Sequence, residues 1–271
     1  MPPSVERVAD GADPRIAAFR AVADPELARE AGSFVAEGRL VVRRAIEAGF
    51  RGGPPLVSRG AFGHPPPALG RPSEDGTAFV ADIAVFRGVT GYNIHRGCLA
   101  LVQRPPARDW AALAGAASPG APLVILERVA NPDNIGGVFR NAAAFGAAAV
   151  LLSPGCSDPL YRKAVRTSMG AVLAVPFAVA QPWPHALVAL REQGWLVAAL
   201  TGAGETPIDA FVGGVPRAAR VAWVLGHEGD GLAAATCALA DVRVRIPMAA
   251  GVDSINVATA AAVALHVSRP R

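Results

Sequence analysis

The sequence lacks the features that would indicate a membrane protein, a secreted fold or a metal site. None of its apolar runs reaches the ~18 uninterrupted residues that a membrane-spanning helix requires. The start, MPPSVERVADGADP, has no apolar core flanked by positive charge, so we expect no secretory signal. Its three cysteines, Cys98, Cys156 and Cys237, lie far apart. Because they show no metal-ligand spacing, we expect reduced thiols in a cytoplasmic protein, with no metal.

Lysine and aromatic residues are also scarce. Of the 26 basic residues only Lys163 is a lysine, and Phe, Trp and Tyr make up 6% of the 271 residues. Alanine, glycine and proline are abundant instead, a bias typical of a genome rich in G and C. The arginines therefore say little by themselves. The net charge of +4 permits a nucleic-acid partner but does not require one.

The N-terminal part predicts a mixture of helix and strand. Residues 1–25 are a polar lead-in with one short helix, and the pattern from Pro25 to Gly49 is helical. Strands are predicted within PLVSRGAF, TAFVADIAVF and RGCLALVQRP. The stretch AGAASPGAP then has the composition of a linker. We therefore predict a first domain over 1–108 and a linker over 109–120.

Beyond the linker the apolar runs become short and continuous, as in strands that are buried on both faces. These runs are PLVILER, AAVLLS, GWLVAAL, VAWVLG and VRVRIPM. Helical periodicity lies between several of them, at 135–145, 159–170 and 184–194, and SINVATAAAVALHV predicts a last helix. Alternating strands and helices predict an α/β domain with a parallel sheet over 121–271.

Three loops directly after predicted strands carry most of the polar residues of this domain. Ligands bind at this edge of open parallel sheets. We call NPDNIGG (131–137) the first loop, LGHEGDGL (225–232) the second loop and IPMAAGVDSIN (246–256) the third loop.

The first loop opens its helix in an unusual way. Asp133 and Asn134 are candidate caps, yet Gly136 and Gly137 stand in the first turn, where each costs about 1 kcal/mol relative to alanine. Arg140 follows outside the apolar helical face. Taken alone, these residues leave open what requires so bare a helix start.

Each polar residue of the loops also has a structural explanation. Asn134 and Glu228 could be caps, Arg140 a solvated helix residue, and Ser254 and Asn256 local hydrogen-bonding groups at a helix start. GDGLAA in the second loop matches the G-x-G-x-x-A dinucleotide fingerprint, so an NAD-dependent dehydrogenase is an alternative. That fingerprint normally opens a βαβ unit, whereas little chain follows it here. Glu228 would also repel the pyrophosphate.

Taken together, the three loops resemble the SpoU (TrmH) family of RNA ribose methyltransferases. The resemblance rests on N-x-G-x-x-x-R at Asn134, Gly136 and Arg140, then L-G-x-E-G-x-G at 225–231 and I-P-M…S-x-N-V at 246–257. It covers about residues 120–271. The region 1–108 resembles, more loosely, the small ribosomal-protein-like RNA-binding domain that is often fused to these enzymes.

The resemblance implies an S-adenosylmethionine-dependent RNA 2′-O-methyltransferase that acts on ribosomal or transfer RNA. It implies a deep trefoil knot formed by roughly 196–271, a homodimer through the knotted domain, and no metal or membrane. Two residues depart from the family's pattern, His227 from the usual Asn or Ala and Ile255 from the usual Leu. The residues expected around the cofactor are Leu200, Thr201, Gly202, Gly226, Ile246 and Ile255.

The resemblance also implies the catalytic residues. Asn134 would position the helix start and the ribose, and Glu228, Ser254 and Asn256 would form a polar network that orients Arg140. The bare helix start would let an RNA backbone approach its N–H groups. In the family this arginine is proposed as the base, alone or with a phosphate. Because a guanidinium releases its proton only above about pH 12, stabilising a phosphate or the developing alkoxide is chemically easier.

Candidate RNA contacts in the first domain are Arg39 and Arg43, which share a predicted helix with Arg44, and His95 and Arg96 in YNIHRG. A solvated helix face and a solvated turn are the alternatives. A catalytically silent, knotted RNA-binding protein is the other alternative to an enzyme. Such a protein would be expected to lose Arg140 or Asn256, and both are present.

Overall fold

The chain forms two compact units, described here from a computed structural model. The structure describes residues 4–20, 25, 28, 32–62, 77–90 and 97–268. The N-terminal unit comprises Met1–Pro106 together with Leu160–Leu173, and the C-terminal unit comprises Ala107–Pro159 and Ala174–Arg271. A short segment from the middle of the sequence therefore folds with the N-terminal unit.

The elements of the described residues alternate along most of the chain. The strands are β1 (Ser4–Val8), β2 (Ser33–Glu37), β3 (Leu56–Ser58), β4 (Thr77–Ala81), β5 (Cys98–Gln103), β6 (Leu123–Leu126), β7 (Ala149–Leu152), β8 (Phe177–Val179), β9 (Trp195–Leu200), β10 (Thr206–Pro207), β11 (Arg220–Leu225) and β12 (Val242–Arg245). The α-helices are α1 (Arg39–Glu47), α2 (Arg59–Phe62), α3 (Ile83–Thr90), α4 (Trp110–Gly115), α5 (Pro132–Phe145), α6 (Arg162–Thr167), α7 (Ala186–Glu192), α8 (Ile208–Gly214), α9 (Ala234–Leu239) and α10 (Val257–Ser268). Short 3₁₀ helices cover Pro14–Phe19 and Ala171–Leu173.

The N-terminal unit is built on a mixed sheet of five described strands in the order β1-β4-β3-β5-β2. Strands β1, β4 and β3 run parallel, whereas β5 is antiparallel to both β3 and β2. The core on this sheet includes Ile16, Leu56, Phe86 and Leu99, each at most 1% exposed. The strands expected within PLVSRGAF, TAFVADIAVF and RGCLALVQRP are confirmed, while β1 was missed.

The prediction of a helical pattern from Pro25 to Gly49 is confirmed over Arg39–Glu47 and was wrong over Ser33–Glu37. Residues Ser33–Glu37 form β2, in which buried and half-buried residues alternate, with Phe34 and Ala36 buried. Gly38 ends the strand with a φ of 90°, a conformation that glycine adopts without a steric penalty, and α1 begins at the next residue. The apolar residues of a five-residue strand also fit helical spacing, so periodicity did not separate the two.

The C-terminal unit contains the expected parallel sheet. Seven of the described strands pair in the order β10-β12-β9-β11-β6-β7-β8, and every neighbouring pair is parallel. Strands β6 and β7 are buried along their whole length. All five predicted strands are present, and the two that were missed, β8 and β10, have only three and two residues.

Residues 109–120, expected as a linker, include α4. Asp109 caps this helix by accepting a hydrogen bond from the Ala112 N–H at 2.6 Å. The indole Nε1 of Trp110 donates to the Gln181 carbonyl at 3.0 Å, and Leu113 packs against the core of the C-terminal unit. The many alanines and glycines of this segment suggested a linker, but Trp110 and Leu113 attach a short helix to the core.

The carboxyl ends of the parallel strands lie at one edge of the sheet. The first loop follows β6, the second loop follows β11 and the third loop follows β12. Because parallel strands end at the same edge, these three loops meet there together with the end of β9. None of the described helices is long and apolar enough to cross a lipid bilayer.

Candidate functional site

A cavity of about 640 Å³ lies at this edge of the C-terminal unit, within the size range of small-molecule sites. All three loops contribute to its walls. Every residue expected around the cofactor lines it, as do four of the five expected catalytic residues. These lining residues are Leu200, Thr201, Gly202, Gly226, Ile246 and Ile255, together with Asn134, Glu228, Ser254 and Asn256.

A chain of side-chain hydrogen bonds connects the three loops. The Asn134 amide Nδ2 donates to Glu228 Oε1 at 2.7 Å. The Asn256 amide Nδ2 donates in turn to Asn134 Oδ1 at 2.8 Å. These residues are 94 and 122 positions apart in sequence, so the fold alone brings them together. Each amide is oriented by its neighbour, and the chain ends on the Glu228 carboxylate.

Asn256 also begins the last helix. Its Oδ1 accepts hydrogen bonds from the N–H groups of Ala258 at 2.9 Å and Thr259 at 3.4 Å, so it caps α10. The amide is therefore held at both ends, by a helix start on one side and by Asn134 on the other. Ser254 is exposed on the cavity wall two residues earlier.

The second loop is a tight turn that only glycine permits at its start. The backbone N–H groups of His227 and Gly231 donate to each other's carbonyls at 3.1 and 3.0 Å. A Cβ atom on Gly226 would lie 2.3 Å from the Gly231 carbonyl carbon. The two ends of the turn thus touch where a side chain would stand, which explains the glycine of this motif.

His227, which departs from the family's usual residue, has a role inside this turn. Its Nδ1 accepts hydrogen bonds from the N–H groups of Gly229 at 3.1 Å and Asp230 at 3.2 Å. A nitrogen that accepts in this way carries no proton, so the ring proton lies on Nε2. Sequence reasoning could not find this role, because it depends on the loop's backbone conformation.

The glycines at the start of α5 allow close packing of this helix. Gly136 is buried. A Cβ on Gly137 would lie 2.8 Å from the Ala258 Cβ of α10, closer than two carbon atoms pack. Asn141 donates to the Ala258 carbonyl at 2.7 Å along the same contact. Helix α10 therefore covers the face at Gly137, while Asn131 and Asn134 at the start of α5 line the cavity, and the approach of an RNA backbone to this helix start stays a prediction.

The cap of α5 also differs from the expectation. Asn131, rather than Asp133 or Asn134, is the N-cap, and its Oδ1 accepts from the Asp133 N–H at 2.9 Å. Pro132 takes the first helical position, where its missing N–H costs nothing. Because Asn131 caps the helix, the Asn134 side chain is available for the chain of amides.

Arg140 stands apart from the other expected catalytic residues. It is exposed on α5, and the described lining of the cavity does not include it. Six residues after Asn134, it is rotated by about 240° around a helix with 3.6 residues per turn. The polar network therefore does not orient Arg140 within a single chain, contrary to the expectation.

The expected RNA contacts lie in the N-terminal unit. Arg43 is exposed on α1 and forms an ion pair with Glu47 at 3.6 Å, and Arg39 is half-buried at the start of the same helix. Arg44 donates to the Met169 carbonyl at 2.6 Å. His95 and Arg96 lie outside the described residues.

The chemistry of the cavity wall suits a cationic ligand with an apolar part. Glu228 and Asp253 are the carboxylates of the described lining, which includes no lysine or arginine. Ile255 on the same wall is 37% exposed, as a side chain is when a ligand can cover it. S-adenosylmethionine carries a sulfonium, an ammonium and an adenine, so the residues present fit it. A pyrophosphate would find no cation here.

Several lining residues were not expected from the sequence. They include Asn131, Leu225, Met248 and Asp253. Leu225 and Met248 belong to the quoted motifs but had no assigned role, and Asn131 and Asp253 lie in the first and third loops, so membership of these loops was the available signal. Among the described residues, no group of three or more His, Cys, Asp or Glu side chains is arranged to hold a metal ion.

The parallel sheet, the cavity at the glycine turn and the Asn–Asn–Glu chain together form a small-molecule site. Comparison with known proteins identifies its class as RNA methyltransferases. A sequence profile of the SpoU rRNA Methylase family matches residues 121–266. An uncharacterized tRNA/rRNA methyltransferase of Mycobacterium bovis is 38% identical over 273 residues, which cover 97% of this chain and 91% of the relative.

Solved structures agree over nearly the whole chain. An AdoMet-bound rRNA methyltransferase from Sinorhizobium meliloti superposes with a TM-score of 0.81 at 25% identity, covering 97% of both chains. An RNA 2′-O ribose methyltransferase superposes with a TM-score of 0.79 at 26% identity, covering 97% of this chain and 98% of the other. The chain belongs to the SpoU rRNA methylase family, and its class of activity is RNA methyl transfer.

Proposed function

We propose that this chain transfers a methyl group from S-adenosylmethionine to a ribose 2′-hydroxyl of ribosomal or transfer RNA, as a cytoplasmic homodimer. The observation that carries the proposal is the amide chain from Asn256 through Asn134 to Glu228, which runs along a cavity suited to a cation. The similarity to an AdoMet-bound rRNA methyltransferase and to an RNA 2′-O ribose methyltransferase supports the cofactor and the ribose target.

The cofactor would be held mainly by backbone and shape. Leu200, Thr201 and Gly202 at the end of β9, Gly226 in the second loop, and Ile246 and Ile255 in the third loop would surround it. When bound, S-adenosylmethionine supplies a methyl group on a sulfonium, which makes that carbon electrophilic. The carboxylates of Glu228 and Asp253 offset the positive charge of this ligand.

We also propose the trefoil knot that the family implies, over roughly 196–271. Strand β12 lies between β9 and β10, which are consecutive in the chain and joined by residues 201–205. At this crossing a Cβ on Gly204 would lie 2.5 Å from the Val244 carbonyl carbon, and the Thr201 N–H donates to the Val244 carbonyl at 2.9 Å. The close contact between strand β12 and the earlier connection 201–205 supports a chain that threads through this connection, as a knot requires.

The polar groups of the cavity would orient the ribose. The transfer forms a bond between the 2′-oxygen and the methyl carbon, breaks the bond from that carbon to sulfur, and releases the hydroxyl proton. Alignment of the two reacting groups is a large part of such catalysis. Asn134 and Asn256 present oriented amides, and Ser254 presents a hydroxyl on the same wall. Arg140 would stabilise the RNA phosphate or the developing alkoxide.

The position of Arg140 supports the dimer. In a single chain this residue is exposed and outside the cavity lining, although the family motif contains it. A site at the seam between two chains would bring the arginine of one to the cavity of the other. Separation of the chains should therefore abolish methyl transfer.

The N-terminal unit would supply further RNA contacts. We propose that Arg39 and Arg43 on α1 contact the phosphate backbone, as do His95 and Arg96, within a substrate-binding domain over 1–108 that precedes the knotted domain over 121–271. A guanidinium on an exposed helix face binds phosphate without sequence preference, which suits a positioning role.

The test combines both substrates with matched arginine variants. Purified protein is incubated with methyl-labelled S-adenosylmethionine and unmodified ribosomal or transfer RNA, in parallel with Arg140→Ala and with Arg217→Ala. The second variant removes another exposed arginine of the C-terminal unit that lies outside the cavity lining. We expect alkali-resistant label in one RNA, a loss of roughly 10²–10³-fold with Arg140→Ala, and no loss with Arg217→Ala.

Other outcomes identify the alternatives. Tight S-adenosylmethionine binding without label in either RNA would indicate a different substrate or a catalytically silent RNA-binding protein. Binding of NAD in place of S-adenosylmethionine would contradict the proposal in favour of a dehydrogenase, which the family membership and the acidic cavity do not support. Neither label nor cofactor binding would overturn the proposal entirely.

A further inference from the structure

Glu127 is a buried carboxylate that the proposed mechanism does not use. It directly follows β6 and is 2% exposed. Burying a charge is costly unless hydrogen bonds compensate for the lost water. Its Oε1 accepts from the Trp183 indole Nε1 at 3.0 Å and from the Thr236 hydroxyl at 2.9 Å, and its Oε2 accepts from the Ala233 N–H at 3.1 Å.

All three donors are neutral, and none of the described residues forms an ion pair with Glu127. A carboxylate accepts on both oxygens and donates from neither, so it matches three converging donors better than any neutral side chain. If packing were the only requirement, an apolar residue would fill this position at lower cost. The chemistry of the position therefore calls for an acceptor.

The donors show what this acceptor holds. The second loop begins at Leu225, whose carbonyl accepts from the Glu127 N–H at 2.8 Å. The loop ends before Ala233, whose N–H donates to the Glu127 side chain. One residue is thus bonded to the chain on both sides of a loop that lines the cavity from Gly226 to Leu232.

We propose that Glu127 is a positioning residue that holds the second loop in its cofactor-binding conformation. It acts from beneath the loop and is not part of the described cavity lining. The inference rests on the proposed function, because it assigns Glu127 to the S-adenosylmethionine site. It predicts that the carboxylate affects cofactor affinity and leaves the reacting groups unchanged.

The variant Glu127→Gln tests this with almost no change in volume. A glutamine has one accepting oxygen and one donating nitrogen. If its oxygen keeps the Ala233 N–H, its nitrogen faces the Thr236 hydroxyl, which can turn to accept, and the Trp183 N–H, which cannot. Two N–H groups then oppose each other. Trp183→Phe removes the opposing donor, so the double variant should relieve the conflict.

The expected pattern is a change in KM without a change in kcat. Glu127→Gln should raise the S-adenosylmethionine Kd and KM roughly tenfold, about the effect of one buried unsatisfied polar group. Because bound cofactor favours the native conformation of the second loop, and with it the position of Glu228, kcat at saturating cofactor should stay within about twofold of wild type. Trp183→Phe alone should change either value little, and Glu127→Gln/Trp183→Phe should return the Kd most of the way to wild type.

Amide hydrogen exchange of the cofactor-free protein supplies a second readout. In Glu127→Gln the amides of residues 226–233 should exchange faster, while those of β6 and β7 keep their protection. If wild type binds S-adenosylmethionine and Glu127→Gln changes neither the Kd nor the exchange, the inference is overturned while the proposed function stands. Uniform loss of protection, or no rescue by Trp183→Phe, would also overturn it by indicating a general structural role. If wild type itself does not bind S-adenosylmethionine, the proposed function fails first.

Discussion

The two units differ in how their sheets present strand ends. In the C-terminal unit all seven described strands run parallel, so their carboxyl ends share one edge. In the N-terminal unit β5 runs antiparallel to both of its neighbours, so strand ends are divided between two edges. Loops therefore converge on one point in the first case and are dispersed in the second.

The cavities follow this difference. The loops of the C-terminal unit enclose about 640 Å³, whereas a cavity beside α1 and β5 in the N-terminal unit has about 10 Å³, scarcely the volume of one water. Among the described residues, the cavity suited to a small molecule thus lies at the parallel sheet. What the mixed sheet offers is an outer surface with exposed arginine on α1. Variants confined to one unit should therefore have separable effects.

The largest effect should come from Gly226→Ala in the second loop. The added methyl group would meet the Gly231 backbone at 2.3 Å, and backbone cannot move aside cheaply. An overpacking cost of about 1–3 kcal/mol corresponds to roughly 5- to 150-fold weaker S-adenosylmethionine binding. Isothermal calorimetry measures it. Gly229→Ala, whose methyl group would meet the His227 ring at 3.5 Å, is the control, and equal losses in both would contradict the explanation.

Replacing a helical glycine by alanine should change the stability in opposite directions in the two units. Gly137→Ala places a methyl group 2.8 Å from the Ala258 Cβ, and the overpacking cost of about 1–3 kcal/mol should exceed the gain in helix propensity of about 1 kcal/mol. Gly88→Ala in α3 meets nothing within 4 Å, so only the gain remains. Thermal unfolding should show a lower Tm for the first and a higher Tm for the second. A higher Tm for both would mean that the helix contact is loose.

Arginine variants of the N-terminal unit should weaken RNA binding and leave cofactor binding unchanged. With Arg39→Gln/Arg43→Gln, the slope of log K against log salt should fall by about 1–2, since each lost phosphate contact removes about one released counterion. Filter binding across a salt series measures the slope. Arg59→Gln, which removes an exposed arginine paired with Asp82 at 3.1 Å, is the control. An unchanged slope would remove α1 from the proposed RNA surface.

The smallest effect concerns the cysteines. Burial raises the pKa of Cys98, in the N-terminal unit, from 9.0 to about 12, and it raises the pKa of the less buried Cys237 in the C-terminal unit. The folded state therefore favours the neutral Cys98 thiol. Its contribution to the stability of the folded protein is complete below pH 9 and is lost as the pH rises toward 12. Iodoacetamide at pH 8 should modify Cys237 before Cys98. In denaturant the two cysteines should be modified at equal rates. Equal modification rates in the folded protein would mean that β5 opens readily.

The sequence was most informative where one physical requirement acts over a short stretch. A strand buried on both faces needs a continuous apolar run, so β6, β7, β9 and β11 were recognised. Strand β12 was also recognised, although its sequence VRVR alternates and only Val244 is buried. In β2 the alternating pattern of Phe34 and Ala36 is too short to exclude a helix. Edge strand β10, with two residues, carries no pattern at all.

For the site, the sequence by itself determined the family, because the order and spacing of three polar loops already identify it, and it predicted which residues carry the chemistry. Only the tertiary structure decided how they act together. It joined Asn134 to Glu228 and Asn256 across 94 and 122 positions, and it turned Arg140 away from them. It also placed α10 against Gly137 and anchored the second loop on Glu127. Local spacing encodes a residue's type and its element, whereas contacts between distant segments depend on how the elements pack.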